Sequence, residues 1–164
     1  MESTIVFNKD YKAATIFVMN IYHTDVSVLW DYFTKAELTD QWWAPKPWRA
    51  ETSVLDFREG GKWQYAMVGP NNEKHYSGAH FLEIHKNRSI SLTDFFTDEN
   101  GNINNELPSV NWLIGFTGVE EGTKLTVNIH FQSEESMKQL LEMGFEEGFK
   151  TGLTQLEEII NKKD

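Results

Sequence analysis

The sequence predicts an α+β protein in which a curved antiparallel sheet wraps around a long C-terminal helix. Between residues 48 and 131, six strand-like segments follow one another and are separated by turn signals. From Ser133 to Asn161, about 29 residues run without a proline and carry apolar side chains at three- and four-residue spacing. A sheet with one apolar face must be covered, and only this helix is long enough to cover it.

Two strands are expected before the first helix. The lead-in contains a short candidate edge strand at Ile5 to Phe7. From Ala13 to His23 the side chains alternate along the chain, with Phe17, Met19 and Ile21 on one face. This alternation predicts a half-buried strand.

Two short helices are expected after that strand. Thr24 or Asp25 is placed to cap a helix over Val26 to Lys35. A second helical turn is predicted from Glu37 to Trp42. It ends before Ala44 to Pro47, where two prolines in three residues predict a fixed, extended turn.

The sheet itself is predicted from alternation and turn chemistry. A tight hairpin signal stands at Arg58 to Gly61, and the longest loop is expected from Thr97 to Pro108. The six predicted strands are Trp48 to Phe57, Lys62 to Val68, His75 to Ile84, Ser89 to Phe96, Val110 to Gly118 and Thr123 to Phe131.

The predicted C-terminal helix carries three glycines on its buried side. Gly144, Gly148 and Gly152 are four residues apart, and each costs about 1 kcal/mol relative to alanine in a helix interior. Ser133 is the predicted N-cap. Three such losses on one flank indicate that space is needed there, either for close backbone packing on the sheet or for a ligand.

Composition limits the class of protein. We interpret residues 1–164 as one domain with a core over about 14–160, since 40% of the residues are hydrophobic. A net charge of −10 argues against nucleic acid and anionic membranes as partners. No cysteine, signal peptide or membrane-inserting stretch is present, so a cytoplasmic location is expected.

Five stretches of the chain carry a family likeness. They are the run Val28 to Pro45, the hairpin Asp56 to Trp63, the strand Gly78 to Ile84, the strand Gly122 to Val127 and the C-terminal Gly144-Phe145, Gly148-Phe149 pattern. In these stretches the chain resembles the START-like (SRPBCC) superfamily, and within it the proteins related to the C-terminal domain of the heat-shock protein 90 ATPase activator.

The resemblance implies a helix-grip fold, as in START-like and Bet v 1-like proteins, with a cavity between the sheet and the long helix. Members of the family bind apolar small molecules, and some are polyketide cyclases. The co-chaperone activity belongs to relatives with an additional N-terminal domain that engages the chaperone.

Polar side chains on predicted inward faces are the candidates for chemistry. His80 is assigned to the face of Leu82 and Ile84, and Asp94 to the face that carries Ile90 and Leu92. The five histidines show no metal-ligand spacing, and the sequence contains neither a catalytic serine motif nor a phosphate-binding loop. No metal, cofactor or catalytic residue is therefore predicted.

Aromatic side chains complete the predicted site, because ligand pockets are usually lined by such groups. The Trp42 to Trp48 segment and the Thr97 to Pro108 loop are expected to form its entrance. The residues expected to contact a ligand are Trp42, Trp43, Trp63, Tyr65, His80, Asp94, Trp112, Phe145, Gly148 and Phe149.

Three hypotheses follow. The leading one is a protein that binds a small, largely apolar molecule between the sheet and the C-terminal helix, a function that requires no enzymatic activity. The second is a cyclase or hydrolase of the same shape, with His80 or Asp94 as acid or base. The third is a co-chaperone-like module with a chaperone partner, which requires an exposed apolar patch around Trp42, Trp43 and Trp48.

Overall fold

A computed structural model describes residues 5–162 and confirms the predicted fold class: one open antiparallel sheet of eight strands, with two short helices after the second strand and two helices at the C-terminus. The strands lie side by side in the order β1-β2-β8-β7-β6-β5-β4-β3. In chain order the elements are β1 Val6–Asp10, β2 Thr15–Tyr22, α1 Val26–Thr34, α2 Ala36–Thr39, β3 Arg49–Leu55, β4 Lys62–Val68, β5 Lys74–His85, β6 Ser89–Phe96, β7 Val110–Val119, β8 Gly122–Phe131, α3 Glu134–Glu142 and α4 Phe145–Lys162.

The buried face of β2 is the one that the alternation did not single out. Phe17, Met19 and Ile21 are only partly buried, whereas the alternate set that begins with Ile16 is buried. Ile16 lies opposite Ile129 of β8, which is also fully buried. Directly opposed residues share a face of the sheet, so pairing with β8 decides which apolar side of β2 enters the core.

The predicted continuous C-terminal helix is wrong at one point. Gly144 has φ +93°, which is the left-handed region, so α3 ends before it and α4 begins after it. Its N–H donates to the carbonyl oxygen of Leu141 (3.0 Å). Gly144 therefore ends a helix, as glycines often do. Ser133 is the N-cap of α3, and its Oγ accepts the N–H of Ser136 (3.0 Å).

The core lies between the concave face of the sheet and the C-terminal half of α4. Leu153 and Leu156 of α4 are fully buried, as are Leu125 and Val127 of β8. The hydroxyl of Tyr22 on β2 donates to the carbonyl oxygen of Leu153 (3.1 Å). Within residues 5–162, no helix is long and apolar enough to cross a membrane.

Candidate functional site

A cavity of about 500 Å³ separates the sheet from the N-terminal half of α4. This volume is in the range of typical small-molecule sites. Three parts of the chain form its walls: β4 to β8 on the sheet side, the end of α3 with the following turn and the start of α4, and the segment between α2 and β3. Representative lining residues from these walls are Tyr65, Ser77, Asp94, Trp112, Phe145, Gly148, Phe149, Trp43 and Trp48.

The two glycines within α4 have different surroundings. A Cβ atom built on Gly148 would meet only one atom within 4 Å, the Cγ of Pro45 at 3.9 Å, so Gly148 borders open space. A Cβ atom on Gly152 would lie 3.0 Å from the carbonyl oxygen of Trp42 and 3.5 Å from that of Trp43. Gly152 therefore admits the backbone of the segment before β3, and Gly148 leaves room in the cavity.

This difference predicts opposite effects of alanine on stability. Gly148→Ala is expected to raise the free energy of unfolding by up to about 1 kcal/mol, since alanine is the better helix former. At Gly152 the same gain is outweighed by overpacking of about 1–3 kcal/mol, so Gly152→Ala is expected to be net destabilising. Urea denaturation of the two variants measures the difference. A Gly152→Ala protein as stable as Gly148→Ala would contradict the close approach.

Gln155 fixes the wall between α2 and β3. Its side chain is buried on α4, and its Nε2 donates to the carbonyl oxygens of Trp42 (3.1 Å) and Ala44 (2.9 Å). Its Oε1 accepts the N–H of Lys46 (2.8 Å). One side chain thus satisfies three backbone groups of a non-helical segment that has no strand partner.

Trp42 and Trp43 point to different places because of this anchoring. Trp42 is fully buried, and its indole N–H donates to the carbonyl oxygen of Tyr32 (2.9 Å), away from the cavity. The ring of Trp43 lines the cavity and lies 6.1 Å, centre to centre, from that of Phe149. Trp42 is a core residue, which corrects its assignment to the ligand site.

Polar groups gather at the inner end of the cavity. Asp94 of β6, Tyr65 of β4 and Trp112 of β7 line both the cavity and an adjoining recess of about 20 Å³, which is large enough for one water molecule. Burial raises the pKa of the Asp94 carboxyl group to about 7. The Trp112 indole N–H approaches this carboxyl group and favours its ionised form, but its geometry falls short of a hydrogen bond.

Tyr65 is the second titratable side chain at the inner end of the cavity, next to Asp94. Burial raises the pKa of its hydroxyl, and the charge of Asp94 raises it further. Ser77 lies directly opposite Tyr65 in the sheet and favours the ionised phenolate. Tyr65 is therefore a neutral donor and acceptor at neutral pH.

Asp94 should give the protein a distinctive pH dependence. Its carboxyl pKa is raised from 3.8 to about 7, so between about pH 4 and pH 7 the unfolded chain has lost a proton that the folded protein keeps. The free energy of unfolding then falls as pH rises through this window. Relative to wild type, the free energy of unfolding of Asp94→Asn is expected to increase by about 2 kcal/mol between pH 4 and pH 7, a value that allows for water in the cavity.

Urea denaturation at several pH values measures this gain. Glu158→Gln, an exposed exchange on α4, is the reference for the loss of one carboxyl group. A constant difference between Asp94→Asn and wild type from pH 4 to pH 8 would contradict the raised pKa.

His80 lies on the outer face of the sheet, so its predicted inward position is wrong. β5 carries a bulge between Phe81 and Glu83: Phe81 pairs with Leu92, and Ile84 pairs with Ile90. Counting back from Ile84 in steps of two crosses this bulge, where one extra residue reverses the face. Phe81 is buried and His80 is exposed.

His75 takes the place that the sequence assigned to His80. It lies on the cavity face of β5, and its ring is 5.4 Å from that of Trp48. His75 and Met143 are exposed and Trp48 is partly buried, so these three residues mark the opening of the cavity. The same count in steps of two would have placed His75 on the inner face of β5 if the bulge had been known.

The Thr97 to Pro108 loop does not help to form the opening, which corrects the predicted entrance. The carboxylate of Asp98 accepts the side-chain N–H of Asn102 (Nδ2, 3.0 Å) and the backbone N–H groups of Asn102 (2.9 Å) and Asn100 (2.8 Å), and these bonds lower the pKa of Asp98. Gly101 of this compact turn lies against the side chain of Gln64, on the face of β4 opposite to Tyr65. The loop thus covers the outer side of the sheet.

Of the ten residues predicted to contact a ligand, most are gathered around the cavity. Trp63 borders only the inner recess, where it stacks on Tyr65 at 4.3 Å and donates to Thr52 Oγ1 (3.0 Å). Ligand contact itself stays a prediction. The lining residues that were predicted as ligand contacts are Trp43, Tyr65, Asp94, Trp112, Phe145, Gly148 and Phe149. Pro45 and Trp48 belong to the segment that was predicted to form the entrance. The lining residues that were not predicted include Met67, His75, Ser77, Phe95, Phe96, Val110, Phe131, Leu140 and Met143.

Comparisons with known proteins agree with this architecture. The family model described as "Activator of Hsp90 ATPase homolog 1-like protein" matches residues 23–161. A solution structure from Arthrobacter aurescens is 28% identical, with a TM-score of 0.92 over 98% of this chain and 93% of that one. A crystal structure from Mycobacterium smegmatis is 26% identical, with a TM-score of 0.87 over 94% and 96% of the two chains. No curated protein matches the sequence.

Proposed function

This chain belongs to the activator of Hsp90 ATPase homolog 1-like family, and from that premise we propose that it binds a small, largely apolar molecule in the cavity between its sheet and α4. The observation that carries the proposal is the cavity of about 500 Å³, which opens beside Trp48, His75 and Met143 and has polar groups only at a few points. A cavity of this kind takes up an apolar body and orients it through those polar groups.

Affinity would come mainly from the apolar walls. Each 100 Å² of apolar ligand surface removed from water contributes roughly 2.5 kcal/mol before the costs of association are subtracted. The rings of Trp43, Trp112 and Phe149 lie within 5.2–6.1 Å of one another and offer both faces and edges to an aromatic ligand.

Binding of a neutral fluorescent probe tests the proposal. N-phenyl-1-naphthylamine emits more strongly in apolar surroundings, and we expect saturable binding with a Kd of about 1–10 μM. Energy transfer from the tryptophans and a rise in Tm with probe concentration are the further readouts. Absence of saturable binding up to about 100 μM, with no change in Tm, would overturn the proposal.

Asp94 favours a second candidate, an acid–base enzyme such as a cyclase or hydrolase. Its carboxyl group faces the cavity, and its pKa of about 7 lets it accept and return a proton near neutral pH. The exposed His80 has no part in this candidate. The test is to incubate each compound that binds with wild type and with Asp94→Asn, and to analyse the compound by mass spectrometry afterwards. A chemical change that depends on Asp94 supports an enzyme, and an intact compound supports binding alone.

A chaperone contact, which the family name suggests, finds no support at the tryptophan segment. The contact requires an exposed apolar patch there. Trp42 is buried in the core, and Trp43 and Trp48 line the cavity. The tryptophan side chains of this segment therefore pack in the core or line the cavity.

A further inference from the structure

Resting on the proposed function, we infer that the bound molecule carries a protonated amine, which pairs with Asp94 beside an aromatic cage formed by Trp43, Tyr65 and Trp112. The apolar body of the ligand would lie towards the opening, against Phe145 and Phe149. The inference concerns the charge of the ligand, and it stands on the arrangement of groups at the inner end of the cavity.

Asp94 is an acid without a cation. No lysine or arginine lines the cavity or the inner recess, and none forms a salt bridge with Asp94 among the described residues. A carboxyl group held unpaired among apolar side chains costs stability. A ligand that brings the opposite charge removes this cost.

The other titratable groups of the lining bring no fixed positive charge to Asp94. Among residues 5–162, Tyr65 on β4 and His75 on β5 are the only other titratable side chains of the cavity lining. The described parts of β7, β8, α3, α4 and the segment before β3 that line it bring none. His75 lies at the opening, beside Trp48. The Trp112 N–H favours the ionised form of Asp94.

The aromatic cage adds a second attraction. The ring of Trp43 lies 6.3 Å from that of Tyr65 and 6.0 Å from that of Trp112. Aromatic faces attract ammonium groups within about 6 Å, and cages of such rings are a known means of binding them. All three rings line the same space as Asp94.

An anionic ligand such as a fatty acid fits this site poorly. Its carboxylate would meet Asp94 and find no cation in the lining, so one of the two acids would have to take up a proton. The net charge of −10 also attracts cations to the protein and repels anions.

The pH dependence of binding distinguishes these ligands. An ammonium group pairs with ionised Asp94, whose pKa in the free protein is about 7, so affinity should rise with pH and level off above this value. Below it, affinity should fall by about tenfold per pH unit at most. A carboxylate ligand would show the opposite trend.

The test compares three probes that share a naphthalene ring: 1-naphthylmethylamine, 1-naphthalenemethanol and 1-naphthoic acid. By isothermal titration calorimetry at pH 8, the amine is expected to bind at least tenfold more tightly than the alcohol, and the acid most weakly. The advantage of the amine should disappear at pH 5 and in Asp94→Asn. Equal affinity of amine and alcohol at pH 8, or an advantage that survives in Asp94→Asn, would overturn the inference.

The results with the different probes distinguish a failure of this inference from a failure of the proposed function. If the alcohol binds and the amine does not exceed it, the ligand class is wrong and the proposed function stands. If neither N-phenyl-1-naphthylamine nor any naphthalene probe binds, the proposed function falls together with this inference. Should Asp94→Asn fail to fold, Asp94→Ser provides the comparison: the advantage of the amine at pH 8 should disappear in this variant too, and an advantage that survives would overturn the inference.

Discussion

Gly148→Leu is expected to abolish binding of N-phenyl-1-naphthylamine and to leave the fold intact. The new side chain would extend from α4 into the cavity, where the first atom met by its Cβ is Pro45 Cγ at 3.9 Å. Leucine also forms helices better than glycine by nearly 1 kcal/mol, so filling the space costs the fold nothing. Fluorescence titration measures the binding, and urea denaturation measures the stability.

Thr151→Leu is the matched control for this substitution. Thr151 is exposed on the same helix, so this substitution places the same leucine side chain outside the cavity. The control should bind the probe as wild type does. If Gly148→Leu kept full affinity, the probe would not occupy this cavity; if it lost 1–3 kcal/mol of stability, the space beside Gly148 would be closed.

Gln155→Leu is expected to lower the free energy of unfolding by about 3 kcal/mol. Leucine has a similar volume, but the carbonyl oxygens of Trp42 and Ala44 and the N–H of Lys46 would lose their partner. Each hydrogen bond contributes about 1 kcal/mol net, and a buried group left unsatisfied costs 1–3 kcal/mol. Because this segment carries Trp43, affinity for the probe should fall as well.

Gln139→Leu provides the comparison for Gln155. Gln139 is exposed on α3, and a surface exchange of this kind changes stability by about 0.5 kcal/mol or less. Both variants can be measured by thermal and urea denaturation. A Gln155→Leu protein as stable as Gln139→Leu would show that water or a rearranged segment replaces the lost hydrogen bonds.

Much of the site could be predicted from local patterns. The alternation in β4 places Tyr65 on one face, and β4 lies beside β3 as the hairpin signal at Arg58 to Gly61 indicates. Asp94 shares the face of Ile90 and Leu92, because β6 has no bulge along its length. Regular alternation therefore identified most of the cavity wall on the sheet side.

The predictions that failed each depend on a contact between different elements of the fold. The face of His80 depends on a bulge in the pairing of β5 with β6, and the position of Trp42 depends on a hydrogen bond to Tyr32. The predicted entrance was wrong because the loop around Asp98 packs against Gln64 on the outer side of the sheet. The composition of this loop indicates only that it is a loop, and not where it packs.

The amino-acid sequence by itself determined the succession of strands and helices, the amphipathic C-terminal segment and the family, because periodicity and turn residues act over a few positions. Only the tertiary structure decided how the three glycines are used. Gly144 ends α3 with a positive φ, Gly148 borders the cavity, and Gly152 admits the carbonyl oxygen of Trp42. The spacing of the glycines is uniform, but Gly148 and Gly152 meet Pro45 and Trp42, which lie more than 100 residues away in the chain. What these two glycines face therefore follows from packing and not from local pattern.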